Sequence, residues 1–99
     1  MAVLYVTEYP HAASDQGKAL PVGFGAPIAN QTIAIGGGSL QSNAFSANTN
    51  LIRVNCDSIC SILIGSNPTA TTSTARMAAN QTEYFGVAPG SKIAVISNV

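Results

Sequence analysis

Any chemistry in this chain has to come from a few side chains: Cys56 and Cys60, the single His11, and the carboxylates Glu8, Asp15, Asp57 and Glu83. A zinc site needs four ligands from cysteine, histidine or carboxylate, and two cysteines with one distant histidine do not supply them. A disulfide depends on the turn between Cys56 and Cys60. If Asp57, Ser58 and Ile59 together form a hairpin tip, the two cysteines face each other. If only Asp57 and Ser58 turn the chain, Cys60 points to the opposite face and bridging fails. Catalysis through His11 would want an orienting carboxylate and a nucleophile nearby. Asp15 and several serines exist, but no Gly-x-Ser-x-Gly elbow frames them.

A glycosidase would set two carboxylates across a cleft. Glu8 and Glu83 are the strand-borne candidates, each beside a tyrosine (Tyr9 and Tyr84), and nothing in the sequence brings them together; both are expected at solvated edges. Gly36-Gly37-Gly38-Ser39 follows a strand as a phosphate loop would. It lacks the terminal Gly-Lys-Ser/Thr, and a strand-like segment follows it instead of a helix, so it reads as a flexible hairpin loop. Asn30-Gln31-Thr32 and Asn80-Gln81-Thr82 match the glycosylation pattern, which arises by chance where Asn and Thr are frequent. The expectation is a protein that is not an enzyme, with no catalytic residue, no metal and no cofactor.

The elements that would position these residues are short strands punctuated by Gly, Pro and Asn. They are predicted at Ala2–Glu8, Gln31–Ile35, Ser39–Phe45, Leu51–Cys56, Cys60–Ile64, Arg76–Ala79, Glu83–Val87 and Lys92–Ile96. Helix signals are weak throughout; Ser73–Asn80 is too short and too Thr-rich upstream to compete. Ile52, Val54 and Cys56 alternate with Arg53 and Asn55, and Cys60, Ile62 and Ile64 share one face. Lys92–Ile96 is apolar on both faces, so it is either central in the domain or buried in a subunit interface. Ala88-Pro89-Gly90-Ser91 carries a type II turn signal, proline second and glycine third. Tyr9–Ala26 has no periodicity and reads as an irregular arm or long loop. The fold class is all-β: an antiparallel sandwich of jelly-roll type with about eight short strands, one domain over residues 1–99 with that irregular arm near 10–27.

Charge is scarce, at 8% of residues with a formal net charge of zero, against about 25% in an ordinary domain. A surface of Asn, Gln, Ser and Thr can be covered by a partner at small desolvation cost, which suits a subunit of an assembly. Lys18, Arg53, Arg76 and Lys92 are scattered, whereas phosphate neutralisation needs clustered cations, so nucleic acid is not an expected partner. No run of about twenty apolar residues is present, so no membrane-spanning helix is expected. Met1–Tyr5 lacks the basic region and cleavage site of a signal peptide; the reading is a first strand of a protein made in the cytoplasm, where cysteines stay reduced.

The block Gly65–Ile96, GSNPTATTSTARMAANQTEYFGVAPGSKIAVI, resembles small virion structural proteins of tailed bacteriophages. There a GxNPTAT loop, a Met-containing strand, an EYFGV strand and a PGxKIAVI strand follow in this order. The resemblance extends back through IRVNCDSICSILIG and more loosely to MAVLYVTEY. It implies a virion structural protein, most concretely a decoration or cement protein on the outside of the head, made in the host cytoplasm. Its partners would be the major capsid protein and copies of itself, with a trimer expected because capsid lattices offer threefold sites. Alternatives are an accessory protein of the head-tail junction or tail, and a small carbohydrate-binding adhesion module. The last would be expected to cluster exposed aromatics, in a chain with no Trp and three Tyr. Two segments are least explicable as core and are the candidate protein contacts: the arm, through Pro10, His11, Asp15 and Lys18, and the polar loop, through Asn67, Pro68, Thr69, Thr71 and Thr72.

Overall fold

Alternating apolar residues drive strands that bury one face each, and two such sets meet here. The computed structural model describes the backbone of residues 2–15, 18–23 and 26–99 and the side chains of 2–11 and 26–99. The elements are β1 (Val3–Tyr9), β2 (Ala12–Asp15), β3 (Lys18–Gly23), β4 (Ala29–Ala34), β5 (Leu40–Gln41), β6 (Leu51–Cys56), β7 (Cys60–Gly65), β8 (Ala75–Met77), β9 (Thr82–Gly86) and β10 (Lys92–Ser97). Eight of them form two four-stranded antiparallel sheets, ordered β4-β1-β6-β9 and β5-β10-β7-β8, and β2 pairs with β3. The protein is an all-β sandwich, as its sequence pattern predicts.

From β4 onward the chain crosses between the sheets at every connection except β7 to β8, the alternation of a jelly roll. Two expected hairpins are therefore corrected. Gly36–Gly38 and Asp57–Ile59 do not join paired neighbours; each carries the chain from the first sheet to the second. Local turn signals look alike in both cases, because a tight reversal serves an arch as well as a hairpin.

The core lies between the sheets. Leu4, Val6, Ile33, Ile35, Ile52, Val54 and Cys56 come from the first sheet and the residue after its β4; Cys60, Ile62, Met77, Ile93 and Val95 come from the second. Phe45 joins them from the stretch after β5. That stretch was expected to continue as a strand to Phe45. Instead Ser42 turns its hydroxyl into the ladder and accepts from the Ile93 N–H (3.0 Å), while the Ser42 N–H reaches the Ile93 carbonyl (2.8 Å). Gly90 adopts φ of 82° with the Ser91 N–H bonded to the Ala88 carbonyl at 3.2 Å, the turn that Pro89-Gly90 predicts.

The irregular arm is also corrected. It contains an antiparallel pair, Asp15 opposite Lys18 and Ser14 opposite Ala19, with a register irregularity before Ala12 meets Gly23. Backbone pairing needs no apolar alternation, which is why periodicity did not reveal it. Proline is confined to strands with a free edge or to bulges, and Pro21 sits in β3, which pairs with β2 alone and within the irregular stretch.

Candidate functional site

The outer faces of the two sheets are treated differently. On the second sheet, Gln41 of β5 stands opposite Ala94 of β10 and donates through Nε2 to Asn67 Oδ1 (2.9 Å) and to the Pro68 carbonyl (2.7 Å). The Ala70 N–H bonds to Ser39 Oγ at 2.9 Å. Asn98 Nδ2 bonds to Ser61 Oγ at 2.7 Å and to the Thr72 carbonyl at 3.2 Å. Residues 66–74 thus form a strap tied across this sheet at both ends. Pro68 and Ala70 are buried, and Ala94 and Ser61 beneath are 0% exposed. The double apolarity of Lys92–Ile96 follows: one face meets the core and the other meets the strap, with β10 between β5 and β7. The two alternatives left by the sequence resolve to a central strand.

The first sheet carries no such strap among the described residues. Its register sets two rows of side chains across four strands: Thr32, Tyr5, Asn55 and Thr82, then Asn30, Thr7, Arg53 and Tyr84. Facing residues on antiparallel strands stand about 5 Å apart at Cβ, so each row is a continuous band. Tyr9, Leu51 and Gly86 make a third row, and all three tyrosines of the chain share this face. A groove of about 490 Å³ lies over the first two rows, lined by Tyr5, Thr7, Asn30, Thr32, Arg53 and Asn55 and by the backbone between them. Tyr5 is 45% exposed. Asn55 Nδ2 is taken by Thr82 Oγ1 (2.8 Å) and the Gln81 carbonyl (3.2 Å), which leaves its oxygen as an acceptor. Arg53 makes no hydrogen bond or ion pair with another described residue. Strand β3 runs close to β6 and β9 without joining their sheet.

Glu8 contradicts the expected solvated edge. It is 2% exposed, because β1 is flanked on both sides and its even-numbered residues face inward. Oε1 accepts from the Ser46 N–H and the Thr49 hydroxyl, both at 2.8 Å, and Oε2 from Gln31 Nε2 at 3.0 Å. Gln31 is itself held by Asn43, whose N–H bonds to Oε1 (2.9 Å) and whose carbonyl accepts from Nε2 (3.2 Å). The carboxylate pins residues 43–49 onto the first sheet. Glu83 is exposed and accepts from Gln81 Nε2 at 2.6 Å; its β-strand pairing puts it two strands from Glu8 and at the sheet edge.

Both cysteines are free and buried, one in each sheet. Cys56 Sγ donates to the Ala78 carbonyl at 3.0 Å. Burial, and then the neighbouring Cys56 and Asp57, push the Cys60 thiol up to about 12, so it is a poor nucleophile near neutrality. Among the described residues no cluster of three or more His, Cys, Asp or Glu could hold a metal ion.

The structure separates the expected contact residues. Asn67, Thr69, Thr71 and Thr72 are exposed on the strap, while Pro68 is buried in the protein's own fold because it packs the strap down. Pro10 is half-buried and His11 exposed at the start of the hairpin; the side chains of Asp15 and Lys18 lie outside the described residues. The groove was missed. Its signal was present in the alternating Tyr5/Thr7, Asn30/Thr32 and Arg53/Asn55 pairs, of which the sequence reading assigned a face only to Arg53 and Asn55. No protein-family model, curated protein or solved structure matches the chain.

Proposed function

We propose that this protein is a non-enzymatic structural protein of a tailed-bacteriophage particle, a decoration or cement protein that sits on the outside of the head and reinforces contacts between major capsid subunits. The resemblance of Gly65–Ile96 to small virion proteins suggests the particle. The observation that carries the reading to a docking role is the strap. It presents Asn67, Thr69, Thr71 and Thr72 to solvent without a formal charge, on a backbone already fixed by Gln41 and Asn98. A preordered, uncharged, hydrogen-bonding ridge loses little entropy and little solvation when another protein covers it. The same charge-poor surface favours copies of the chain associating, with a trimer as the form suited to a threefold lattice site.

Counting the chain in purified particles tests this. A copy number comparable to that of the major capsid protein supports the head; a handful of copies moves it to the head-tail junction or tail; absence from the particle refutes the reading. A second reading, a carbohydrate-binding module, is favoured by one observation: the groove on the first sheet, where tyrosine, amide and hydroxyl side chains gather on one open face.

A further inference from the structure

We infer that the outer face of the first sheet is a site for an acidic saccharide, with Arg53 holding the sugar carboxylate and Tyr5 packing against the ring. This rests on the carbohydrate-binding reading of the same face and adds the class of sugar. The groove's volume, about 490 Å³, falls within the span of small-molecule sites, about 300–1,000 Å³. Besides Val6 and Gln31, whose side chains belong to the inner face, its lining is Tyr5, Thr7, Asn30, Thr32, Arg53 and Asn55, which sorts into one ring, one cation and four groups that hydrogen-bond without charge.

Each part fits a different feature of such a ligand. A guanidinium meets a carboxylate through two parallel N–H donors, and Arg53 has no partner among the described residues. Amides and hydroxyls can both donate and accept, as sugar hydroxyls do. A tyrosine ring 45% exposed offers an apolar body with a polar tip. Directly opposite Arg53 are Thr7 and Tyr84, and directly opposite Tyr5 are Thr32 and Asn55. Ring and cation are therefore diagonal neighbours, a separation of about 7–8 Å, and a single sugar unit can touch both.

Other occupants match less well. Strands β1 and β6 beneath the groove are interior ones whose backbone groups are spent on the ladder; β4 at its border is an edge, but a peptide strand added there would lie beside the sheet and not over Tyr5 and Arg53. A nucleic acid would need several cations, and Arg76 stands on the other sheet, opposite Ser61. A phosphate group is usually gathered by backbone N–H nests as well as cations, and β1 and β6 beneath Tyr5 and Arg53 are extended strands paired on both sides.

The test is an NMR titration of the uniformly ¹⁵N-labelled full chain with sialyllactose, tri-galacturonate, lactose and a capped Glu-Glu peptide. The expected result is that at least one acidic saccharide shifts the amides of Tyr5, Thr7, Arg53 and Asn55, and binds at least tenfold more tightly than lactose. Arg53→Ala should erase that preference and Arg53→Lys should restore part of it, each with an otherwise unchanged spectrum that certifies the fold. Raising the salt concentration should weaken the acidic ligand and leave lactose unaffected. If lactose binds as well as the acids and Arg53→Ala is silent, the acidic-sugar inference fails while the carbohydrate reading survives. If no sugar shifts these amides, both fail. If the Glu-Glu peptide competes equally, the groove is an anion-tolerant docking surface for protein and the inference is overturned.

Discussion

Replacing Glu8 by glutamine tests whether the three-bond node at the end of β1 is wired as described. The amide can keep its oxygen toward the Ser46 N–H and the Thr49 hydroxyl, but those bonds pass from charge-assisted to neutral. At about 1.5–3 kcal/mol for the first kind and about 1 kcal/mol for the second, each loses roughly 1 kcal/mol. The new NH₂ then faces Gln31 Nε2, where the carboxylate had accepted at 3.0 Å. Gln31 cannot rotate away cheaply, because reversing its amide opposes both groups of Asn43 that now pair with it. Relief of carboxylate desolvation works in the other direction. The net expectation is a loss of about 2 kcal/mol, which for a domain of this size lowers Tm by about 8–16 °C. Glu8→Ala removes all the acceptors and strands the buried Thr49 hydroxyl, for about 3–5 kcal/mol. Thermal and urea unfolding would measure both, and the double variant Glu8→Gln/Gln31→Glu should recover roughly 1 kcal/mol relative to the sum of the single changes. A Glu8→Gln protein within about 0.5 kcal/mol of the parent, with no coupling to position 31, would refute the reasoning.

Four further outcomes are expected. Because the folded state holds the Cys60 proton up to about 12, its contribution is complete below the ordinary thiol range and is lost as pH rises toward that value; the urea midpoint should fall across this window less steeply in Cys60→Ala. Native thiol labelling near neutral pH should leave both Cys56 and Cys60 unmodified until the protein unfolds. Gly90→Ala meets no atom within 4 Å but inherits φ of 82°, so it should cost about 1 kcal/mol through backbone strain alone. Thr69→Ala/Thr72→Ala alters exposed side chains and should change stability by less than about 0.5 kcal/mol, while incorporation into purified particles drops; unchanged incorporation would move the docking face away from the strap.

How much of this was legible beforehand depends on which force shaped each part. The inward series Ile52, Val54, Cys56 and Cys60, Ile62 could be read directly, since burial of one face imposes a period of two. Pro89-Gly90 was equally readable, because few backbone shapes accept that pair. The hairpin of β2 and β3 was not, for its order comes from backbone pairing without apolar alternation. Glu8 was misplaced for a related reason. A buried carboxylate is tolerable only when donors converge on it, and Gln31, Ser46 and Thr49 come from segments that a linear reading cannot bring together. The strap explained a pattern that sequence left double-valued: Ile93 and Val95 face the core while Ala94 is covered by residues some 25 positions earlier in the chain. The groove depended on register, which assigns Arg53 to Thr7 on one side and Tyr84 on the other.

The two extremities of the described chain meet at one pole. The Ala2 carbonyl accepts from the Ile35 N–H at 3.0 Å, and the Ser97 N–H donates to the Gly36 carbonyl at 2.8 Å, so successive residues of a single loop hold both. Strand β1 fills the place beside β4 and β6 that a further strand after β10 could occupy by crossing once more between the sheets. The strand path is in this sense a ring, and the position of its opening is a matter of sequence order and not of packing. A short link from Asn98 to Ala2, with new ends cut between β2 and β3, would leave every paired register of the two sheets intact. Any chain continuing from Ala2 or from Asn98 would leave from the same pole, at the far end of β1 from the β2–β3 pair. That gives the molecule a fixed polarity along β1, with one pole available for attachment and the other given over to the hairpin.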